Sequence, residues 1–134
     1  MSHPYVIYDK FIGQPILDFL KKENINVIHS DIIDITQARE SAKTISPGLY
    51  WTESKEYIGS IDFFKKKTDG IIYFMAFPCG PDALVIELCK LKFKNIPSVI
   101  VVLDELQAEI GLITRLESFI DILRIKRKRY EEKN

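Results

Sequence analysis

The stretch from Asp69 to Asp82, Asp-Gly-Ile-Ile-Tyr-Phe-Met-Ala-Phe-Pro-Cys-Gly-Pro-Asp, constrains this chain more than any other. Gly70 through Phe77 is a short continuous apolar run with aromatic and β-branched residues. Such a run suits a strand covered on both faces, as in a parallel sheet. Pro78 and Gly80 stop it, Pro81 suits the first position of a helix, and Asp82 places a carboxylate in that helix's first turn. Cys79 therefore falls between strand end and helix start, where ligands bind in open α/β sheets.

The flanking residues extend the pattern. Tyr5–Tyr8 predicts a first strand, Pro15–Glu23 a helix with Ile16, Leu17 and Leu20 on one face, and Ile25–Ile28 a second strand. Asp34 with Gln37 three residues on is a capping-box pattern opening a helix that carries Ile35, Ala38 and Ala42 inward. After the Ser46-Pro47-Gly48 break, Thr52 caps a helix with Tyr57, Ile58, Ile61 and Phe64 on one stripe. The helix from Pro81 to about Phe93 carries Leu84, Val85, Leu88, Cys89 and Leu91 on more than one side, which predicts deep burial. Ser98–Leu103 is a further β-branched strand. Leu106–Gly111 forms a loop, and Ile113, Leu116, Ile120 and Leu123 repeat at helical spacing.

Strands alternating with helices predict an α/β fold: three α/β/α layers around a four-stranded parallel sheet, in a flavodoxin-like or Rossmann-like order 2-1-3-4. Residues 1–125 form a single α/β domain in this reading, and 126–134 a charged tail continuing the basic cluster Arg124, Lys126, Arg127, Lys128 and Arg129. The absence of a leader before the first strand suits either a small free-standing protein or a fragment of a longer one.

Lys plus Arg and Asp plus Glu both number 19, so net charge is zero and a general nucleic-acid-binding surface is disfavoured. No apolar run is long enough to span a bilayer. Two cysteines without a secretory signal predict a reducing compartment.

Parallel strands would bring their C-terminal ends to one edge. That edge would gather Tyr8, Asp9, His29, Gly80, Asp82, Asp104 and Glu105 around Cys79 as a strand-end cleft. A thiol near a helix N-terminus can have a lowered pKa, favouring metal ligation or redox chemistry, although the same position suits a small residue in a tight turn. Cys89 shares a helix face with Val85 and Phe93 and is a buried structural thiol in this reading. His3 and His29 lack metal-ligand spacing with Cys79. Asp104, Glu105 and Glu109 are loop-cap or cation-site candidates, and Arg115 and Glu117 a surface pair. No Walker loop, Gly-x-Gly-x-x-Gly or nucleophile–base pair is present.

Five stretches carry a family likeness. They are His3-Pro4-Tyr5-Val6-Ile7-Tyr8-Asp9, Tyr50-Trp51-Thr52, Asp69-Gly70-Ile71-Ile72-Tyr73, Cys79-Gly80-Pro81-Asp82, and Asp104-Glu105 followed by Glu109-Ile110-Gly111-Leu112-Ile113-Thr114-Arg115-Leu116-Glu117. Together they resemble the activase-related proteins of the 2-hydroxyacyl-CoA dehydratase system, also called CoA-substrate-specific enzyme activase-related proteins. The resemblance implies anaerobic, cytoplasmic iron–sulfur electron transfer or activation of a CoA-ester dehydratase. It makes Cys79 a candidate ligand of a four-iron–four-sulfur cluster held by a longer parent protein, with no complete cluster in this chain alone. It implies partners among the parent's other domains or a dehydratase-type subunit, and an isolated chain that is not catalytically competent. Leu106-Gln107-Ala108 departs from the family's His-Thr-Gly pattern, which withholds a ligand role from that loop. The family's phosphate-binding loops have no counterpart, so ATP binding is not assigned. A non-catalytic binding or assembly domain, with Cys79 serving only the turn, is the alternative.

Overall fold

The computed structural model describes residues 4–48, 50–76, 79–103 and 109–132. In chain order the elements are α1 (Pro4–Ile7), α2 (Gly13–Lys22), a 3-10 turn (Ser30–Ile32), α3 (Ile35–Ile45), α4 (Thr52–Phe64), β1 (Ile71–Ala76), α5 (Gly80–Lys92), β2 (Ser98–Leu103) and α6 (Glu109–Glu131).

The four-stranded sheet of order 2-1-3-4 is overturned. The described residues form one two-stranded sheet, β1 beside β2, parallel and in register from Ile71 opposite Ser98 to Ala76 opposite Leu103. The two strands predicted at Tyr5–Tyr8 and Ile25–Ile28 are not strands. Pro4 opens the short helix α1, whose Val6 and Ile7 are buried. Ile25–Ile28 carries no regular structure, and Val27 and Ile28 stay largely exposed. The physical reason lies in the ambiguity of short apolar runs. Four such residues bury equally well as one helical turn, and Pro suits the first helical position.

A two-stranded sheet is marginal by itself and needs helices against its faces. Alternation along β1 supplies two faces. Ile71 and Tyr73 join Ile58 of α4 and Val85, Ile86 and Cys89 of α5 in one core. Phe74, with Val101 of β2, joins Ile16 and Leu20 of α2 and Leu116 and Ile120 of α6 in the other. The expectation of a central strand apolar on both sides holds for this reason.

Local signals mark several helix ends. Asp34 Oδ1 accepts hydrogen bonds from the backbone N–H groups of Thr36 (2.9 Å) and Gln37 (3.3 Å), capping α3. The end of α2 is a Schellman motif: Ile25 N–H donates to Leu20 O and Asn24 N–H to Lys21 O, with Asn24 in the left-handed region at φ 58°. Ile25 then packs in the same core as Leu20, the hydrophobic contact that accompanies this motif. Trp51, rather than Thr52, occupies the cap position of α4, and α5 starts at Gly80, one residue before Pro81.

Burial departs from the periodicity in places. Ile35 is exposed on α3, and Phe64 only half-buried. Leu84 and Leu91 of α5 are 56% and 74% exposed, because two strands leave that helix's outer side uncovered. α6 begins at Glu109 inside the predicted loop and continues through the segment assigned to a tail. Its basic residues are not simply solvated. Arg124 holds the Glu23 carboxylate (2.9 Å) and the Glu23 carbonyl (3.1 Å), and Lys126 donates to Asn95 O (3.0 Å).

Candidate functional site

Cys79 caps the start of α5 without a side-chain cap bond and is half-buried. Its backbone N–H donates to Ala76 O (2.9 Å), which closes the turn at the end of β1. A crevice of about 280 Å³ opens beside it, lined by Trp51, Thr52, Glu53, Ser54, Cys79, Pro81 and Asp82. The first turn of α4 thus faces the first turn of α5 across the thiol. A Cβ built on Gly80 would meet nothing within 4 Å, so the turn in front of Cys79 looks onto open space.

The electrostatics correct the expectation of a lowered thiol pKa. Burial is the largest influence on Cys79 and pushes its pKa up. The nearby Asp82 backbone N–H pulls the other way. The Asp82 carboxyl accepts the thiol's hydrogen bond and places a negative charge beside it, pushing the pKa up again. The helix start therefore does not deliver a resident thiolate, and Asp82, itself almost fully buried, is part of the reason. Cys89 lies fully buried in the core shared with Tyr73, with its pKa pushed up to about 12 by burial. Both thiols are free.

Of the other described strand-end residues, Tyr8, Asp9 and His29 do not gather around Cys79. Tyr8 and Asp9 follow a helix, so they do not mark a strand end. Asp9 serves the loop into α2: its Oδ1 accepts from Phe11 N–H (2.8 Å) and Ile12 N–H (2.9 Å), and its carbonyl accepts from Gly13 and Gln14 N–H. Tyr8 stacks on His29 with ring centroids 5.4 Å apart, and its hydroxyl donates to Asp31 at 3.0 Å and 3.2 Å to the two carboxylate oxygens. Partial burial raises the Tyr8 pKa, helped by the hydrogen bond to Asp31 and by its charge. His29 and Asp31 line a second, larger cleft of about 430 Å³, bordered by Asp69 and Gly70 at the opening of β1. This cleft and the Cys79 crevice share no lining residue. Among the described residues of the predicted cleft, only Cys79 and Asp82 line one cavity together, with Gly80 between them in the chain. Asp104 and Glu105, like His3, lie outside the described residues.

Trp51, Glu53 and Ser54 beside Cys79 escaped the reading by strand ends, because α4 precedes β1 in the chain. The signal that pointed there was the Tyr50-Trp51-Thr52 stretch. Among the described residues no group of three or more His, Cys, Asp or Glu side chains could hold a metal ion. Cys79 can supply one ligand at an open crevice. A four-iron–four-sulfur cluster usually takes further thiolates. No described helix is long and apolar enough to cross a membrane.

Comparisons of the chain with known protein families, with curated proteins and with solved structures find no match.

Proposed function

We propose that this chain is an α/β module of an activase-related protein of the 2-hydroxyacyl-CoA dehydratase system, in which Cys79 supplies one thiolate to a four-iron–four-sulfur cluster. The remaining ligands come, in this reading, from other domains of a parent chain or from a dehydratase-type subunit, in an anaerobic cytoplasm. One observation carries it. The Cys79 thiol stands half-exposed at the junction of β1 and α5, facing an open crevice with no side chain on Gly80 to block approach. Cys89, the other thiol, is enclosed in the core.

When bound, such a cluster would carry electrons. The part played by this chain is to present one sulfur and to exclude water from one side of it. The raised thiol pKa means that ligation must release the Cys79 proton. The Asp82 carboxyl, already hydrogen-bonded to the thiol, is placed to receive it.

The test is anaerobic reconstitution of the full-length protein with iron and sulfide, in wild-type, Cys79→Ser and Cys89→Ser forms. The reading expects Cys79→Ser to lose iron, sulfide and the cluster absorption band. Equal iron and sulfide in wild type and Cys79→Ser would refute it.

A second reading, a binding or assembly domain with no cofactor of its own, is favoured by the surface beside the crevice. Trp51 lines the crevice and is partly exposed, with the exposed Tyr50 next to it in the chain, and exposed aromatic side chains mark interaction surfaces. In that case the anaerobically purified wild-type protein would show no cluster band.

A further inference from the structure

Four helices end at one rim of the sheet, the rim where β1 and β2 begin. Parallel pairing sets Ile71 beside Ser98, so the segments leading from α4 into β1 and from α5 into β2 are neighbours. α6 reaches the same rim: Lys126 donates to Asn95 O (3.0 Å) in the α5–β2 segment, and a Cβ on Gly70 would lie 2.7 Å from Phe119. α2 joins them through the ion pair of Glu23, the residue after its end, with Arg124 (2.9 Å). Cys79 stands beyond the opposite end of β1.

These helix ends are basic. α2 closes on Lys21 and Lys22, α5 on Lys90 and Lys92, and α6 on Lys128 and Arg129, while Lys65, Lys66 and Lys67 follow α4. The balance holds when every carboxylate paired with them is included: Asp62, Glu87, Glu23, Asp121 and Glu131. Residues 21–23 hold two cations and one carboxylate, 62–69 three and two, 87–95 three and one, and 121–132 five and three, which makes thirteen cations against seven carboxylates. Each helix C-terminus adds about half a negative charge, so the excess outlasts the four helix dipoles. With 19 of each sign in the whole chain, six cations and twelve carboxylates remain elsewhere. A neutral chain is thus divided into a basic rim and an acidic remainder.

A second observation falls on the same rim. Three of the four helices expose a large apolar side chain in the last turn: Phe63 of α4 (49%), Leu91 of α5 (74%) and Tyr130 of α6 (73%). Each lies within two residues of a cation: Lys65, Lys90 and Lys92, and Arg129. Apolar and aromatic side chains set among lysines match the interface of an anionic bilayer. Ten of the thirteen cations are Lys, and two of the three Arg, Arg124 and Arg127, are held by carboxylates. Hydrated point charges suit a diffuse anionic surface, whereas recognition of phosphates along a nucleic-acid strand favours free Arg forks. We propose that this rim is a peripheral docking surface for a membrane containing anionic lipid. Phe63, Leu91 and Tyr130 enter the headgroup region, and the surrounding lysines are drawn to its charge. The attraction acts within a Debye length and weakens with salt. It is independent of the Cys79 reading and holds the thiol on the side away from the bilayer.

Co-sedimentation of the full chain with vesicles tests it, using phosphatidylcholine alone and phosphatidylcholine with about one-third phosphatidylserine. Binding is expected only with phosphatidylserine, and should fall about tenfold or more between about 50 mM and about 500 mM salt. The variant Lys66→Glu/Lys94→Glu/Lys128→Glu reverses three exposed charges of the rim. It should lose about tenfold or more. Lys10→Glu/Lys43→Glu/Arg115→Glu makes the same change in net charge at exposed positions outside the rim and should lose less than about threefold. Leu91→Ser/Tyr130→Ser should weaken binding while leaving its salt dependence in place. Circular dichroism confirms that each variant is folded. Absence of binding to the phosphatidylserine vesicles overturns the proposal. So does equal binding to phosphatidylcholine alone, equal loss in the rim and control variants, or unchanged binding of Leu91→Ser/Tyr130→Ser. Tighter binding to a single-stranded oligonucleotide than to the vesicles at the same salt also overturns it, in favour of a nucleic-acid surface.

Discussion

The Cys79 thiol donates a hydrogen bond to the carboxyl of Asp82, one turn into the helix that Cys79 caps. Through this pairing a residue of the Cys-Gly-Pro-Asp turn controls the chemistry of its neighbour. The helix start, through the Asp82 N–H, favours thiolate. Burial and the carboxylate favour thiol, and they win.

Replacing Asp82 by Asn removes the negative charge while keeping a side chain of the same shape. The Cys79 pKa should fall, so at neutral pH a larger fraction is thiolate. Alkylation by iodoacetamide should speed up by a few-fold, each unit of pKa being about tenfold in thiolate fraction well below the pKa. Cys89 should remain slow in both proteins because it is buried. Rates followed from pH 6 to 9 by mass spectrometry check this. An unchanged or slower Cys79 rate in Asp82→Asn would show that the carboxylate does not hold the proton.

The core thiol predicts an alkaline limit to stability. The Cys89 pKa is about 12 in the folded chain against an ordinary 9.0. Between those values the unfolded chain releases its proton while the folded chain keeps it. The unfolded state then binds fewer protons, so stability is intact below about pH 9 and falls as pH rises toward 12, at most roughly 1.4 kcal/mol per pH unit. Tyr73 adds to the fall at the upper end. Its buried hydroxyl has no hydrogen-bond partner among the described residues, and burial raises its pKa, with the Cys89 charge assisting. Urea midpoints at pH 8 and pH 10.5 should separate, and Cys89→Ala should narrow the gap. An identical gap in Cys89→Ala would remove Cys89 as its source.

Gly59 holds α3 and α4 together at close range. A Cβ there would lie 1.7 Å from the Ala38 carbonyl oxygen, so the two backbones touch where a side chain would stand. Gly→Ala inside a helix ordinarily gains about 1 kcal/mol from propensity. Here the sign reverses, because α3 must move away and open the core around Ala42 and Ile58. Gly59→Ala should lose about 2 kcal/mol or more of unfolding free energy, within the range for overpacked cores. Gly80→Ala, where a Cβ meets open space, serves as the control and should be near neutral. Chemical denaturation of the two variants decides it.

Several features of the fold were legible in the residues. Asp34 announced a cap, Ile16 and Leu20 a buried stripe, and β1 and β2 their strands, because each rests on neighbours a few positions away. Asn24 was passed over. The left-handed end of α2 usually announces itself with Gly, and Asn is its less frequent substitute. The candidate site was legible only in part. Cys79, Gly80 and Asp82 are contiguous in the chain and keep their relation. Tyr8, Asp9 and His29 depended on strands that did not form.

What the sequence determined by itself had a local cause: the Asp34 cap, the Ile16–Leu20 stripe, the strands β1 and β2, and a carboxylate at Asp82 in the first turn of α5. Tertiary structure alone decided whether Tyr5–Tyr8 and Ile25–Ile28 became strands, which helix turn faces the thiol, and which distant groups Arg124 and Lys126 reach. The reason is that a helix closes its hydrogen bonds within a few residues, whereas a strand's partner lies elsewhere in the chain.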